Sequence, residues 1–397
     1  MNTNWKDPNF ILGSVARGDN FYLRNDIVED IWNELKKGNS VLLAAPRRVG
    51  KTSVMQYMAE IHVENYKLIF RSIQGVKSAN EFFETIYTLL LNCLNTTKKA
   101  KKWLIGFIES KSIKTIGKDG IEFENKPTDF LKSTTDLLIE INENKDIENI
   151  VLLLDELPEA LFYINNNKTN KEDAISILKN LRRWRQQPDM NKKVKFVFAG
   201  SVGIHYVVDM IETRNSDLND LKKVDFKPLS VNEANEYIDW ATKGATVTYC
   251  DELKKYLLSK IQYFVPYFIN LLLDEINKQA KITNNPKITT QNIDTAFDTV
   301  VKHSDYFKDW KSRLKDYMPK EDFDFVNEIL IHTAHKGYIG LQEIYDKAVK
   351  HNKTADYINF MDDLENDGYI TEIEGKYRFM SPFLSAFWKR KNPINHA

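Results

Sequence analysis

The sequence predicts an α/β fold: a parallel sheet buried on both faces, then an all-helical segment, then a small terminal module of helices and a hairpin. Three observations carry this. Five apolar, β-rich runs, Ser40–Ala45, Lys67–Ile73, Asn149–Leu154, Val194–Gly200 and Lys222–Phe226, alternate with stretches of helical period, the pattern of parallel strands covered on both faces. From Ser230 onward the period is helical. Near the end, three helical stretches precede two short strands around Glu374-Gly375, which is the order of a winged helix, a helix-turn-helix variant.

The elements follow in chain order. The first strand runs into a tight loop and then a helix with Val54, Met58 and Ile61 on one face. Between Leu104 and Glu124, IKTI and IEFE flank GKDG, which reads as an inserted β-hairpin near 112–124 because Asp119-Gly120 is a strong turn dipeptide. The basic cluster Lys98–Lys102 beside it reads as a solvated helix end. Ser230 and Glu233 fit a capping box that starts a helix at Val231. Further helices are expected over Asp251–Ile261, Pro266–Ala280 and Thr290–His303, with a boundary near His303–Tyr306. The tail reads as helices Glu321–His335, Leu341–His351 and Thr354–Asp367 before the two strands. The expected division is a core over 1–229, a helical lid over 230–303 and a winged helix over 304–397.

Composition narrows the class. A chain of 397 residues suggests two or three domains. With 42% apolar and 28% charged residues, 15 Gly and 11 Pro, it is neither disordered nor low-complexity. Its 56 basic and 56 acidic side chains cancel, so there is no global pull toward nucleic acid or anionic membrane, and any nucleic-acid surface must be a local patch. Cys93 and Cys250 form no metal-spaced set and suit a reducing compartment. The opening MNTNWKDPNF lacks the pattern of a secretion signal, and no apolar run approaches membrane-spanning length. A cytoplasmic location without membrane attachment is expected.

The chemistry lies in two places. Ala45-Pro46-Arg47-Arg48-Val49-Gly50-Lys51-Thr52 follows the phosphate-loop pattern GxxxxGK[ST], with Ala45 in place of the first Gly. Backbone N–H groups and the helix N-terminus suit phosphate oxygens, Gly50 permits close approach, and Lys51 adds a point charge. Arg48 is the loop arginine placed to approach phosphates. Val49 and Ser53 flank the Gly-Lys-Thr core, and the Thr52 hydroxyl suits Mg²⁺. The second place is Asp155-Glu156, which ends the apolar run Ile150–Leu154. In an open α/β sheet, ligands bind at the carboxyl ends of strands. Asp155 is therefore expected to hold Mg²⁺, and Glu156 to polarise an attacking water. These readings imply ATP and Mg²⁺ as cofactors. His332 and His335 lack a third ligand at metal spacing and read as structural.

APRRVGKTSVM, LLLDE, FVFAGSVGI, DFKPLSVNEANEYI and VPYFINLLLDEI together resemble the archaeal-type P-loop ATPases, close to the STAND and origin-recognition branch of the AAA+ superfamily. The tail YRFMSPFLSAFWKRK resembles the end of that family's winged helix. The resemblance implies further roles. Ser201 matches a sensor of the γ-phosphate, and Pro266 the proline that couples the lid to nucleotide state. Pro266 also reads as an ordinary helix N1 proline. Arg24 matches a nucleotide-proximal arginine, but Ile27 stands where the family has its acidic partner and Leu23 where it has Gly. Arg182, Arg183 and Arg185 match the position of an arginine finger acting on a neighbouring subunit. They equally fit a solvated basic helix end.

The third helix of the tail, Thr354–Asp367, carries Asp356, Asp362, Asp363, Glu365 and Asp367 and no Lys or Arg, which the phosphate backbone of a duplex would repel. The wing residues Lys376 and Arg378 and the cluster Trp388–Lys391 are the exceptions. The expectation is an ATP-hydrolysing switch whose winged helix meets a protein partner or a second copy. The alternatives are a DNA-associated ATPase of initiator or transposition-helper type, and a nucleotide-binding scaffold with little hydrolysis.

Overall fold

A computed structural model describes residues 5–94, 115–117, 120–122, 129–166, 171–200, 204–212, 215–303 and 305–393. Ser201 and the Lys98–Lys102 cluster lie outside the described residues. The chain forms two compact units. One comprises Arg24–Ala44 and Val54–Asp225, the other Met1–Leu23, Ala45–Ser53 and Phe226–Ala397.

The first unit holds strands β1 (Val41–Ala44), β2 (Tyr66–Ser72), β3 (Thr115–Gly117), β4 (Gly120–Glu122), β5 (Asn149–Asp155), β6 (Val194–Gly200) and β7 (Lys222–Lys223). Five of them form a parallel sheet in the order β2-β5-β6-β1-β7. β5 lies inside the sheet between β2 and β6, and Ile150 to Leu154 are at most 1% exposed, each worth roughly 1.5–3 kcal/mol of burial. That is why this run is continuous rather than alternating. β7 is shorter than the run to Phe226 suggests. It is an edge strand with two exposed lysines, a common guard against edge pairing, and its ladder ends where Val224 N–H donates to the Leu42 carbonyl. β3 and β4 pair antiparallel as the expected hairpin, although Asp119 of its turn lies outside the described residues.

The second unit is helical. The Ser230/Glu233 capping box is formed and opens the helix Val231–Ala241. Helices Asp251–Ile261, Pro266–Thr283 and Thr290–Lys302 follow. A further helix, Asp305–Tyr317, occupies the stretch read as a boundary, and it buries Phe307, Trp310, Leu314 and Tyr317. Then come helix Lys320–Lys336, β8 (Ile339–Gly340), helices Leu341–Lys350 and Tyr357–Asn366, β9 (Ile370–Ile373), β10 (Lys376–Phe379) and helix Pro382–Lys391. The three strands pair antiparallel in the order β8-β10-β9. The turn between β9 and β10 has positive φ at both Glu374 and Gly375, as a twisted two-residue hairpin requires. An aromatic cluster joins the helices before and after His303: Phe383 stacks on Phe297, Phe268 and Phe307 with centroids 4.6, 5.7 and 5.9 Å away.

Candidate phosphate-binding site

β1 ends at Ala44, and the loop Ala45–Gly50 turns directly into the helix Lys51–Glu60. Two residues of the loop have left-handed backbone, Arg48 at φ 63° and Gly50 at φ 105°. Gly50 adopts this freely, whereas at Arg48 it is a local strain of the kind that gathers at ligand sites. Val49 and Ala45 are buried, so the loop is anchored by its small apolar positions. Lys51 is 6% exposed, and its Nζ donates to the carbonyls of Ala45 and Pro46 at 2.5 and 2.7 Å. The loop thus closes around its own lysine, and an ammonium group stands inside it. Ser53 Oγ accepts from the Ala16 N–H at 3.2 Å, tying the N-terminal segment to the first turn of the helix, where Thr52 also sits.

Arg48 is held by its own unit. Its guanidinium lies 4.2 Å over the Tyr267 ring and 3.5 Å from Asp309 Oδ2. Tyr267 directly follows Pro266, which occupies the N1 position of its helix. Burial pushes the Tyr267 hydroxyl up to about 12, with Arg48 pulling the other way, so it stays protonated and donates to the Tyr306 carbonyl at 3.2 Å.

In the sheet unit, β1 and β5 flank β6 and run parallel to it, so Ala44 and Asp155 leave the sheet at the same carboxyl edge. Asp155 is 3% exposed, and its Oδ1 accepts from the Glu156 N–H at 3.0 Å. Glu156 takes a left-handed φ of 62° and opens the helix Leu157–Asn166, its carbonyl accepting from Ala160 N–H. A third carboxylate joins this edge. Glu159 is 4% exposed and accepts from the Gln74 amide at 2.6 Å. It lies in the first turn of the helix Leu157–Asn166, four residues beyond Asp155. At the end of β6, a side chain on Gly200 would come within 2.3 Å of the Pro158 ring, so this strand end and the helix after the acidic pair approach as only glycine allows.

The remaining candidates are placed as follows. Arg24 is 5% exposed and makes a two-bond pair with Asp26 at 3.2 and 3.0 Å. Its acid therefore comes from two residues on, not from the position that Ile27 fills. Arg182 pairs with Asp217 at 3.0 Å. Arg185, its side chain 2% exposed, binds both Asp220 oxygens and the Asp217 carbonyl. Arg183 donates to Gln187, the residue directly after the end of its helix Lys171–Gln186. Among the described residues no cluster of His, Cys, Asp and Glu is arranged to hold a metal by itself, and no helix is long and apolar enough to cross a membrane.

No protein-family model and no curated protein matches the sequence. Solved structures do. The Walker-type ATPase of Pyrococcus abyssi aligns with a TM-score of 0.63 at 16% identity, over 96% of this chain and 99% of that one. The chain has the fold of an archaeal Walker-type ATPase. The ORC2 protein of Aeropyrum pernix, in its ADPNP–ADP complexes, aligns with a TM-score of 0.52 at 11% identity, over 98% and 100% of the two chains. The class expected from the sequence, an α/β phosphate-loop core followed by a helical region and a winged-helix order of elements, is the one found.

Proposed function

We propose that this chain is a Mg²⁺-dependent ATP-binding and ATP-hydrolysing switch, with a core over 1–229, a lid over 230–303 and a winged helix over 304–397. The observation that supports it most is the loop itself: left-handed backbone at Arg48 and Gly50 leading into a helix that begins at Lys51, a geometry that turns backbone N–H groups toward an anion. Lys51 exchanges the Ala45 and Pro46 carbonyls for phosphate oxygens. Thr52 and Asp155 are the residues that hold Mg²⁺, a hard cation suited to one hydroxyl, one carboxylate and water. Bound Mg²⁺ supplies charge neutralisation at the phosphates. Glu156 orients and deprotonates the attacking water, and Ser201 senses the γ-phosphate. Arg24 and Pro266 serve the nucleotide side and the lid. Arg182 completes the site of a second copy only by leaving Asp217. The winged helix meets a protein partner: its third helix presents Asp362 and carries no basic residue, a poor match to a duplex.

The test is a pair of variants. Lys51→Ala is expected to abolish ATP binding, and Glu156→Gln to keep binding while losing about 10²–10⁴-fold in hydrolysis. Equal steady-state hydrolysis by wild type and Glu156→Gln would remove the water-activating role.

A further inference from the structure

The helix Asp305–Tyr317 brings a carboxylate to the phosphate loop. Asp309 Oδ2 stands 3.5 Å from Arg48 Nη2 and 3.7 Å from Arg47 Nη1. The loop is gripped at a second point by the turn after helix Tyr357–Asn366. Gly368, at φ +80°, has no side chain, and a Cβ there would lie 2.6 Å from Pro46 Cγ. The two grips are joined. Trp310, next to Asp309, is buried, and its carbonyl accepts from the hydroxyl of Tyr369, next to Gly368, at 2.8 Å. The Trp310 ring in turn stacks on Phe268, beside the Tyr267 that carries Arg48.

A loop built to bind anions therefore has its two guanidiniums facing a carboxylate of the same chain. A phosphate that approaches them meets a competitor of like charge, and either the carboxylate yields or the phosphate binds without those two cations. We propose that Asp309 is a positioning residue for Arg47 and Arg48, a carboxylate that nucleotide phosphates displace. Nucleotide and the helix Asp305–Tyr317 then compete for the same two arginines. The coupling is reciprocal: whatever strengthens the Asp309 contact weakens nucleotide binding, and bound nucleotide weakens the contact by the same factor. The inference rests on reading the loop as the nucleotide site. The pairs are partly open to water, with side-chain exposures of 24%, 25% and 51% for Arg47, Arg48 and Asp309, so the effect is modest.

The experiment titrates the full chain with N-methylanthraniloyl-ATP and Mg²⁺. Asp309→Asn is expected to bind about two- to tenfold tighter than wild type, the worth of two part-exposed ion pairs. Asp309→Glu should return to wild-type affinity, and the gain should vanish when Arg47 and Arg48 are both Ala. A merely structural role for Asp309 predicts the opposite sign, since a loosened loop binds less well. Equal or weaker binding by Asp309→Asn, or a gain that survives loss of both arginines, overturns the proposal. Lys51→Ala separates the two levels. If it binds the probe as wild type does, the nucleotide reading falls and this inference with it. If it does not bind while Asp309→Asn is unchanged, only the role of Asp309 falls.

Discussion

At the exit of β5, Asp155 is 3% exposed and the strand is fixed on both sides by parallel ladders to β2 and β6. In the phosphate loop, Arg47 and Arg48 are about a quarter exposed and rest on an Asp309 that is half exposed. The acids stand on an element whose movement would break many buried contacts. The arginines stand on contacts that water or another anion can replace. A group that must orient one water profits from the first kind of support. A group that must change partners when ligand arrives profits from the second. The same contrast extends through the molecule: the sheet unit is held by buried packing and buried ion pairs, while the C-terminal helices add rim clusters of solvated charge to an aromatic core.

Arg185 offers the sharpest way to break that comparison. Its side chain is 2% exposed and satisfied by Asp220 and the Asp217 carbonyl, with its guanidinium 5.6 Å from the Phe198 ring centroid. Removing it leaves Asp220 without its partner, and Arg185→Ala is expected to cost about 3 kcal/mol, read by denaturant unfolding at constant m-value. A variant as stable as wild type would show that the pair is not structural. That result would leave Arg185 open to a role on a second copy.

Gly200 tests packing at the same edge. With Pro158 2.3 Å from where a Cβ would lie, Gly200→Ala must move either the strand end or the helix after Glu156, at roughly 1–3 kcal/mol. If Glu156 orients the attacking water as proposed, turnover per folded molecule should also fall, because the displaced helix begins directly after that acid. Loss of stability with unchanged turnover per folded molecule would argue that the edge tolerates movement after all.

Much of this was legible beforehand, for physical reasons. Doubly covered strands give continuous apolar runs, so β5 and β6, buried along nearly their whole length, were readable to within a residue at either end, and Ser230 with Glu233 fixed a helix start through reciprocal hydrogen bonds that need only two residue types. The helix Asp305–Tyr317 was missed although Phe307, Trp310, Leu314 and Tyr317 recur at helical spacing. Its polar face is so rich in Lys and Asp that the segment passes for a linker. Asp309 was therefore invisible, because a contact between residues 47 and 309 leaves no trace in local pattern. The two-residue β8 was hidden for the same reason, since it exists only through its pairing with β10; the Arg24–Asp26 pair is local, but an i, i+2 spacing belongs to no helical period.

The smallest effect tests the solvated side of the comparison. Glu328, on helix Lys320–Lys336, accepts from Lys347 and Lys350 at 3.1 and 2.9 Å, and His351 Nε2 lies 2.7 Å away. Burial alone would raise its pKa, but the bonds from His351, Lys350 and Lys347 outweigh it and hold the carboxyl at about 2. The folded value lies below the unfolded one, so the stabilisation is fully present above the ordinary glutamate pKa of about 4.3 and is lost as pH falls toward 2. Glu328→Gln is therefore expected to melt below wild type at pH 7, by the equivalent of about 1 kcal/mol or less. The two melting points should draw together between pH 5 and pH 2 and also in 0.5 M salt. The deficit of Gly200→Ala, being steric, should follow neither pH nor salt. A Glu328→Gln deficit that stays constant down to pH 2 would mean that shape, not charge, holds this rim, and the division between the two kinds of support would fail where it is easiest to see.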